Sequence, residues 1–202
     1  MNLVEPVGDD PAAVLARSEL LFAEGNDEDN ARLLSEAAER FPEHAEIQLR
    51  AAARLFETSP RQAGLCIRRA AAAAPSDPNQ LTRCGLRAFD LGDLAAAKEY
   101  ATRVRELGDL EFQLASSFAH LIGKLAIEAG RPDNAEEFLR LAFGEDPEMP
   151  GFGRVLAAFL AQEGRPDEAL EVVTEAMRHL PDDPRLIALK AEILADEDRA
   201  DP

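Results

Sequence analysis

The sequence predicts an all-α chain built as a stacked solenoid of helix-turn-helix repeats. The first observation is self-similarity. Gly130-Arg131-Pro132-Asp133-Asn134-Ala135 returns 34 positions later as Gly164-Arg165-Pro166-Asp167-Glu168-Ala169, and a fixed period of this length marks a repeat array. Secondly, each copy runs on to a small residue (Ala142, Ala176) and then to a proline five positions further (Pro147, Pro181). Thirdly, the 202 residues are 46% hydrophobic but only 5% aromatic. Alanine supplies much of the apolar surface, which suits closely packed helices of regular pitch.

Anchoring on these copies divides the sequence. An N-terminal extension (1–10) precedes five repeats, 11–44, 45–77, 78–115, 116–149 and 150–183. A capping helix (184–196) and an acidic tail (197–202) follow. Repeat position 8 is small throughout: Ser18, Ala52, Gly85, Gly123, Ala157 and Ala191. A second small position reads Ala31, Ala63, Ala97, Ala135 and Ala169, and a third reads Ala38, Ala70, Val104, Ala142 and Ala176. Small side chains let two helices approach, and Pro42, Pro75, Pro147 and Pro181 end the second helix of four repeats.

Each irregularity has its own reading. Repeat 1 requires a one-residue slip between Gly25 and Ala31, and repeat 2 replaces the turn glycine with Thr58-Ser59-Pro60. Repeat 3 lacks the terminal proline and ends Leu107-Gly108-Asp109. The four residues before Ser116 are read as one more turn on the next helix, carrying Leu110 and Phe112, with Asp109 as its N-cap. The last helix is expected to cover the apolar face that an end repeat otherwise leaves in water.

Over roughly residues 11–195 this set of positions resembles the tetratricopeptide repeat family. The resemblance implies a right-handed superhelix and a non-enzymatic adaptor that binds a peptide or helix segment in a concave groove lined by the first helix of each repeat. The family's bulky aromatic at position 4 is absent; Val14, Gln48, Leu81, Ala119, Gly153 and Ile187 stand there. Carried over residue by residue, the groove holds Phe22, Phe56 and Phe89 at position 12, then Ile127 and Ala161, with Leu15 and Leu49 at position 5 and Leu86 at position 9. Exposed aromatics in a concavity are what peptide recognition uses.

A basic strip overlies this apolar one. Arg50 and Arg54 in repeat 2, and Arg83 and Arg87 in repeat 3, sit four apart at matching positions, and Lys124 and Arg154 continue the series. Two readings stand. Either the guanidinium forks await a ligand carboxylate, from an acidic segment or a free C-terminus, or Glu46, Glu57 and Asp90 neutralise them within the protein. The lysine/asparagine carboxylate clamp of chaperone-binding relatives is not reproduced, since Leu15 and Glu19 occupy those places. The alternative to an adaptor is a self-associating subunit that uses Phe112, Phe118, Phe138 and Phe143.

Charge and chemistry narrow the field further. The formal charge is −17. Residues 1–44 contribute −8 and 106–202 contribute −13, around a middle of +4. That sign opposes nucleic acid. No apolar run reaches the length of a membrane span, and no basic-then-apolar leader opens the sequence, so the cytoplasm is expected. His44, His120 and His179 lie in different repeats without metal-ligand spacing, no phosphate-cradling glycine loop is present, and neither cofactor nor metal is expected. Cys66 and Cys84 read as small buried hydrophobes rather than a redox pair.

Overall fold

The computed structural model describes residues 10–108, 112–149 and 151–200, with side chains throughout these spans except at 112–115 and 197–200. The protein forms two compact units, 1–108 and 109–202. The described residues hold eleven α-helices and no strand.

Unit 1 contains three helical hairpins: α1 (Pro11–Ala23) with α2 (Asp27–Arg40), α3 (Ala45–Leu55) with α4 (Pro60–Ala73), and α5 (Pro78–Asp90) with α6 (Leu94–Leu107). Unit 2 contains α7 (Phe112–Glu128) with α8 (Pro132–Glu145), α9 (Phe152–Gln162) with α10 (Pro166–His179), and then α11 (Pro184–Ala200). Each hairpin packs on the next within its unit, and α3 also touches α5 as α9 touches α11. First helices therefore lie side by side.

The hairpin turns share one construction. In four of them a glycine with positive φ (Gly25, Gly92, Gly130, Gly164) follows the first helix. The next residue's amide reaches back five residues: Asn26 N donates to Leu21 O, Asp93 N to Ala88 O, Arg131 N to Ala126 O and Arg165 N to Leu160 O. This is a Schellman closure, and its left-handed residue costs little only for glycine. The α3–α4 turn lacks that glycine, as the sequence shows, and Ser59 N instead donates to Leu55 O. Prolines then stand two residues beyond the ends of α2, α4, α8 and α10, where no helical amide is needed.

The small-residue positions are where helices meet. Ser18, Ala52, Gly85, Gly123 and Ala157 are all buried. A Cβ built on Gly123 would lie 2.8 Å from Leu139 Cγ. One on Gly153 would lie 2.6 Å from Ala176 Cβ and 2.9 Å from Phe143 Cε2. Gly153 stands where the family places a bulky aromatic, so Phe143 and Ala176 occupy the space that ring would fill.

Two expectations change and one holds in part. Repeat 1 needs no slip: Asn30, not Ala31, is the buried residue, and it keeps the strict register from Pro11. Helix α7 does begin before Ser116, at Phe112, whereas the N-cap assigned to Asp109 falls outside the described residues. Helix α11 continues to Ala200, so 197–200, expected as tail, are helical.

In unit 1 Leu34, Ile47, Leu81 and Val104 anchor the interior, and in unit 2 Leu139, Leu156, Leu160 and Val173 do so. One departure at position 4 is met locally through its amide nitrogen, while Gln48 Oε1 is buried without a hydrogen-bond partner among the described residues. Gln48 is fully buried, and its Nε2 donates to Ala38 O (2.6 Å) and Phe41 O (3.1 Å). It thereby caps carbonyls at the end of α2 that lack helical partners.

Candidate functional site

The first helices of unit 1 enclose a cleft of about 430 Å³. Helix α1 contributes Ser18, Glu19 and Phe22, α3 contributes Arg50, Ala53 and Arg54, and α5 contributes Arg87. Side chains at matching positions on adjacent first helices point the same way because each helix starts one period after the last. Asn30 and Leu34 of α2 complete the lining. Ser18 Oγ donates 2.7 Å to Asn30 Oδ1.

Phe22 is 62% exposed at the mouth of this cleft. The Arg54 guanidinium lies over its ring, 5.0 Å from the centroid, while Arg54 Nη1 donates to Asp27 Oδ1 at 2.9 Å. Arg50 Nε donates to Glu46 Oε1 at 2.8 Å and Arg50 Nη2 to Glu19 Oε1 at 3.0 Å. Arg83 Nη1 donates to Glu46 Oε2 at 2.7 Å. Burial opposes ionisation of Glu46, but the hydrogen bonds from Arg83 and Arg50 outweigh it and hold the carboxyl below its ordinary value. The hydrogen bond from Arg50 to Glu46 raises the Arg50 pKa, with partial burial acting the other way. Arg87 is exposed on the cleft wall.

Of the two readings of the arginines, internal neutralisation accounts for Arg50, Arg54 and Arg83. Glu46 is the expected acceptor for two of them. Glu19 and Asp27 join it, and exposed Glu57 takes no part among the described residues.

The apolar half of the expected groove is reduced. Leu49 is only 3% exposed and belongs to the core, so it cannot meet a ligand. Phe56, Phe89 and Leu86 are half-buried and do not line the cleft, which leaves Phe22 as the ring presented there. Ile127 packs against the unit 2 core. Lys124 and Arg154 are half-buried residues of unit 2. His120 is buried, its ring 4.6 Å from that of Phe152. The self-association patch is also altered. Phe138 and Phe143 pack on the cluster of Ala119, Ala142 and Phe152, Phe118 is half-buried, and the Phe112 side chain lies outside the described set.

Sequence reasoning missed two features. Asn30 in the cleft floor was legible from the strict 34-residue register. A second cleft, about 610 Å³, lies in unit 2 between α9 and α11, floored by Ala158, Ala161, Leu189 and Ile193 with Glu192 at its rim. Its signal was the run of small residues at positions 9 and 12 of the fifth repeat, which leaves space that larger side chains would fill.

The repeated Gly-Arg-Pro-Asp motif also gains a role in its second copy. Arg165 Nη1 donates 2.6 Å to Glu136 Oε2 on α8, and Arg165 Nε donates 2.6 Å to Glu168 Oε1. Arg140 bridges the same two carboxylates from the other side. The hydrogen bond from Arg165, then that from Arg140, holds Glu136 down to about 2. Among the described residues no group of histidine, cysteine and carboxylate side chains could hold a metal ion, and no helix is long and apolar enough to cross a membrane.

Residues 126–193 match the tetratricopeptide repeat family. The fold agrees over about nine-tenths of the chain. A thermophilic tetratricopeptide repeat protein of Thermus thermophilus superposes with a TM-score of 0.74 at 20% identity, over 90% of this chain and 97% of that one. PilF of Pseudomonas aeruginosa gives 0.65 at 18% identity, over 93% and 85%. YrrB, described as a tetratricopeptide repeat protein with an unusual peptide-binding site, gives 0.51 at 17% identity, over 91% and 93%. No curated protein matches by sequence. The match to the tetratricopeptide repeat family is thus one of sequence over 126–193 and one of fold over most of the chain.

Proposed function

We propose that the protein is an interaction scaffold without chemistry of its own, and that the unit 1 cleft receives a peptide segment pairing an apolar side chain with a carboxylate. The observation that carries this is Phe22, 62% exposed beneath Arg54 and beside the cleft that Arg87 also lines. A protein of the same fold is described as having a peptide-binding site, which supports the general role.

Magnitudes decide how far one cleft goes. Covering the exposed part of Phe22 contributes about 1–2 kcal/mol, and a carboxylate on exposed Arg87 adds up to about 1 kcal/mol. Micromolar affinity needs roughly 8 kcal/mol. The segment must therefore run past the cleft along neighbouring helices, and a short peptide binds weakly.

A peptide-display selection on the intact protein tests the reading. Enriched sequences should place an aspartate, glutamate or free C-terminus near a leucine-like or aromatic residue, and Phe22→Glu with Arg87→Glu should lose them. Enrichment of basic peptides, or retention by the double variant, would sink it.

A further inference from the structure

The unit 2 cleft pairs an apolar floor with an acidic mouth. Ala158, Ala161, Leu189 and Ile193 form the floor, Glu192 and Asp196 stand exposed on the α11 wall, and no basic side chain lines it. Glu163 is exposed at the end of α9, the opposite wall. The last turn of α9 holds no basic residue, so the negative end of its dipole adds to the carboxylates. Neither Glu163 nor Glu192 enters an ion pair among the described residues. The mouth therefore favours a cation, and the floor favours an apolar side chain beside it.

The chain carries the matching surface on α4. Arg61, Leu65, Arg68 and Ala72 fall at i, i+4, i+7 and i+11, on one face of that helix, and all four are exposed. Of the large apolar side chains exposed among the described residues, Leu65 alone has an arginine one turn away on each side. These arginines differ from those beside the unit 1 cleft. Arg50, Arg54 and Arg83 are held by resident carboxylates. Arg61 enters no ion pair among the described residues, and Arg68 comes no nearer than 4.0 Å to Asp93 Oδ2.

We infer that the α4 face of one copy docks in the unit 2 cleft of a second copy of this chain. A helix laid across the cleft seats Leu65 on the apolar floor, with one arginine towards Glu192 and the other towards Glu163. Any molecule that has the cleft also has the stripe, which makes a second copy the occupant rather than an unrelated basic helix. Charge along the sequence runs the same way, since residues 45–105 carry +4 and 106–202 carry −13. The two surfaces are unlike, so the contact is heterologous, and each added copy leaves one stripe and one cleft open unless the arrangement closes. The net −17 drives copies apart at long range and keeps the association weak. No residue of the unit 1 cleft takes part, so loss of self-association would leave peptide capture there intact.

Sedimentation equilibrium of the full-length protein over a concentration series tests it. Wild type should pass from monomer to larger species as concentration rises. A stripe variant, Arg61→Ala/Leu65→Ala/Arg68→Ala, and a cleft variant, Glu163→Lys/Glu192→Lys, should each raise the dissociation constant more than about tenfold. Helical circular dichroism should not change, because every substituted position already meets solvent. An equimolar mixture of the two variants should recover one contact, between the stripe left intact on one and the cleft left intact on the other. That mixture should stop at a heterodimer, which has no competent surface left with which to grow. A wild type that stays monomeric overturns the proposal. So does self-association that survives in either variant, which would place the contact elsewhere, such as an acidic tail on the arginines of unit 1. A mixture of two folded variants that stays monomeric overturns the pairing of these two surfaces.

Discussion

Ser18 Oγ donates a 2.7 Å hydrogen bond to Asn30 Oδ1, and both side chains are buried where the other repeats pack two small residues. The first hairpin is thus closed by a polar pair. Asn30→Ala should lower stability by about 1–3 kcal/mol, since it strands the Ser18 hydroxyl. Ser18→Ala with Asn30→Ala should cost less than the two single changes added together, because the orphaned partner disappears. Urea midpoints of the four proteins measure this; strict additivity would mean the bond is not coupled.

Two glycines of unit 2 separate packing from propensity. Gly153→Ala drives a Cβ into Ala176 and the Phe143 ring and should destabilise by about 1–3 kcal/mol. Gly144→Ala, near the end of α8, meets nothing within 4 Å and should stabilise by up to about 1 kcal/mol. Thermal melts of both variants should therefore shift in opposite directions.

The Glu136 network predicts a pH dependence. Its carboxyl is lowered from 4.5 to about 2 by Arg165 and Arg140, so the folded state prefers the ionised form. Its stabilisation is complete above about pH 4.5 and fades as pH falls towards 2. The pairs are largely exposed, which limits the effect at neutral pH to roughly 1 kcal/mol. Glu136→Gln should lower the urea midpoint at pH 7, with a gap from wild type that narrows in acid and in high salt. A gap independent of both would remove the electrostatic explanation.

Cys66 and Cys84 are buried free thiols. Burial raises both, with Cys84 pushed up to about 12, and Cys84 Sγ lies 3.7 Å from Ile67 O. The native protein should resist a thiol reagent at mildly alkaline pH, and the unfolded protein should take up label at both positions. Rapid native labelling would show that the α4–α5 contact opens readily.

Much of the fold was legible because the features that specify it are local. A turn glycine, a helix-ending proline and a small residue act within a few positions, and their recurrence fixes the frame. Asn30 escaped because asparagine does not look like a packing residue until Ser18 is known to face it. The groove was read less well, for a different reason. Leu49 and Phe22 both fall on lining positions of the resemblance, yet helix packing buries one and presents the other. Gly153, with Phe143 and Ala176 filling its place, shows the same point: a missing ring on one helix is compensated by a neighbour that the sequence does not identify.

On the proposed reading of the unit 1 cleft, its arginines would impose a rule on whatever enters. Arg50 and Arg54 are held by Glu19, Glu46 and Asp27, so an incoming carboxylate exchanges partners with resident ones instead of neutralising bare charge. Such an exchange releases little net electrostatic energy, and its dependence on ionic strength should be much shallower than the number of arginines implies. Under that reading selectivity would belong to whichever ligand can seal the ring of Phe22 while the swap takes place, and lone acidic metabolites would be passed over.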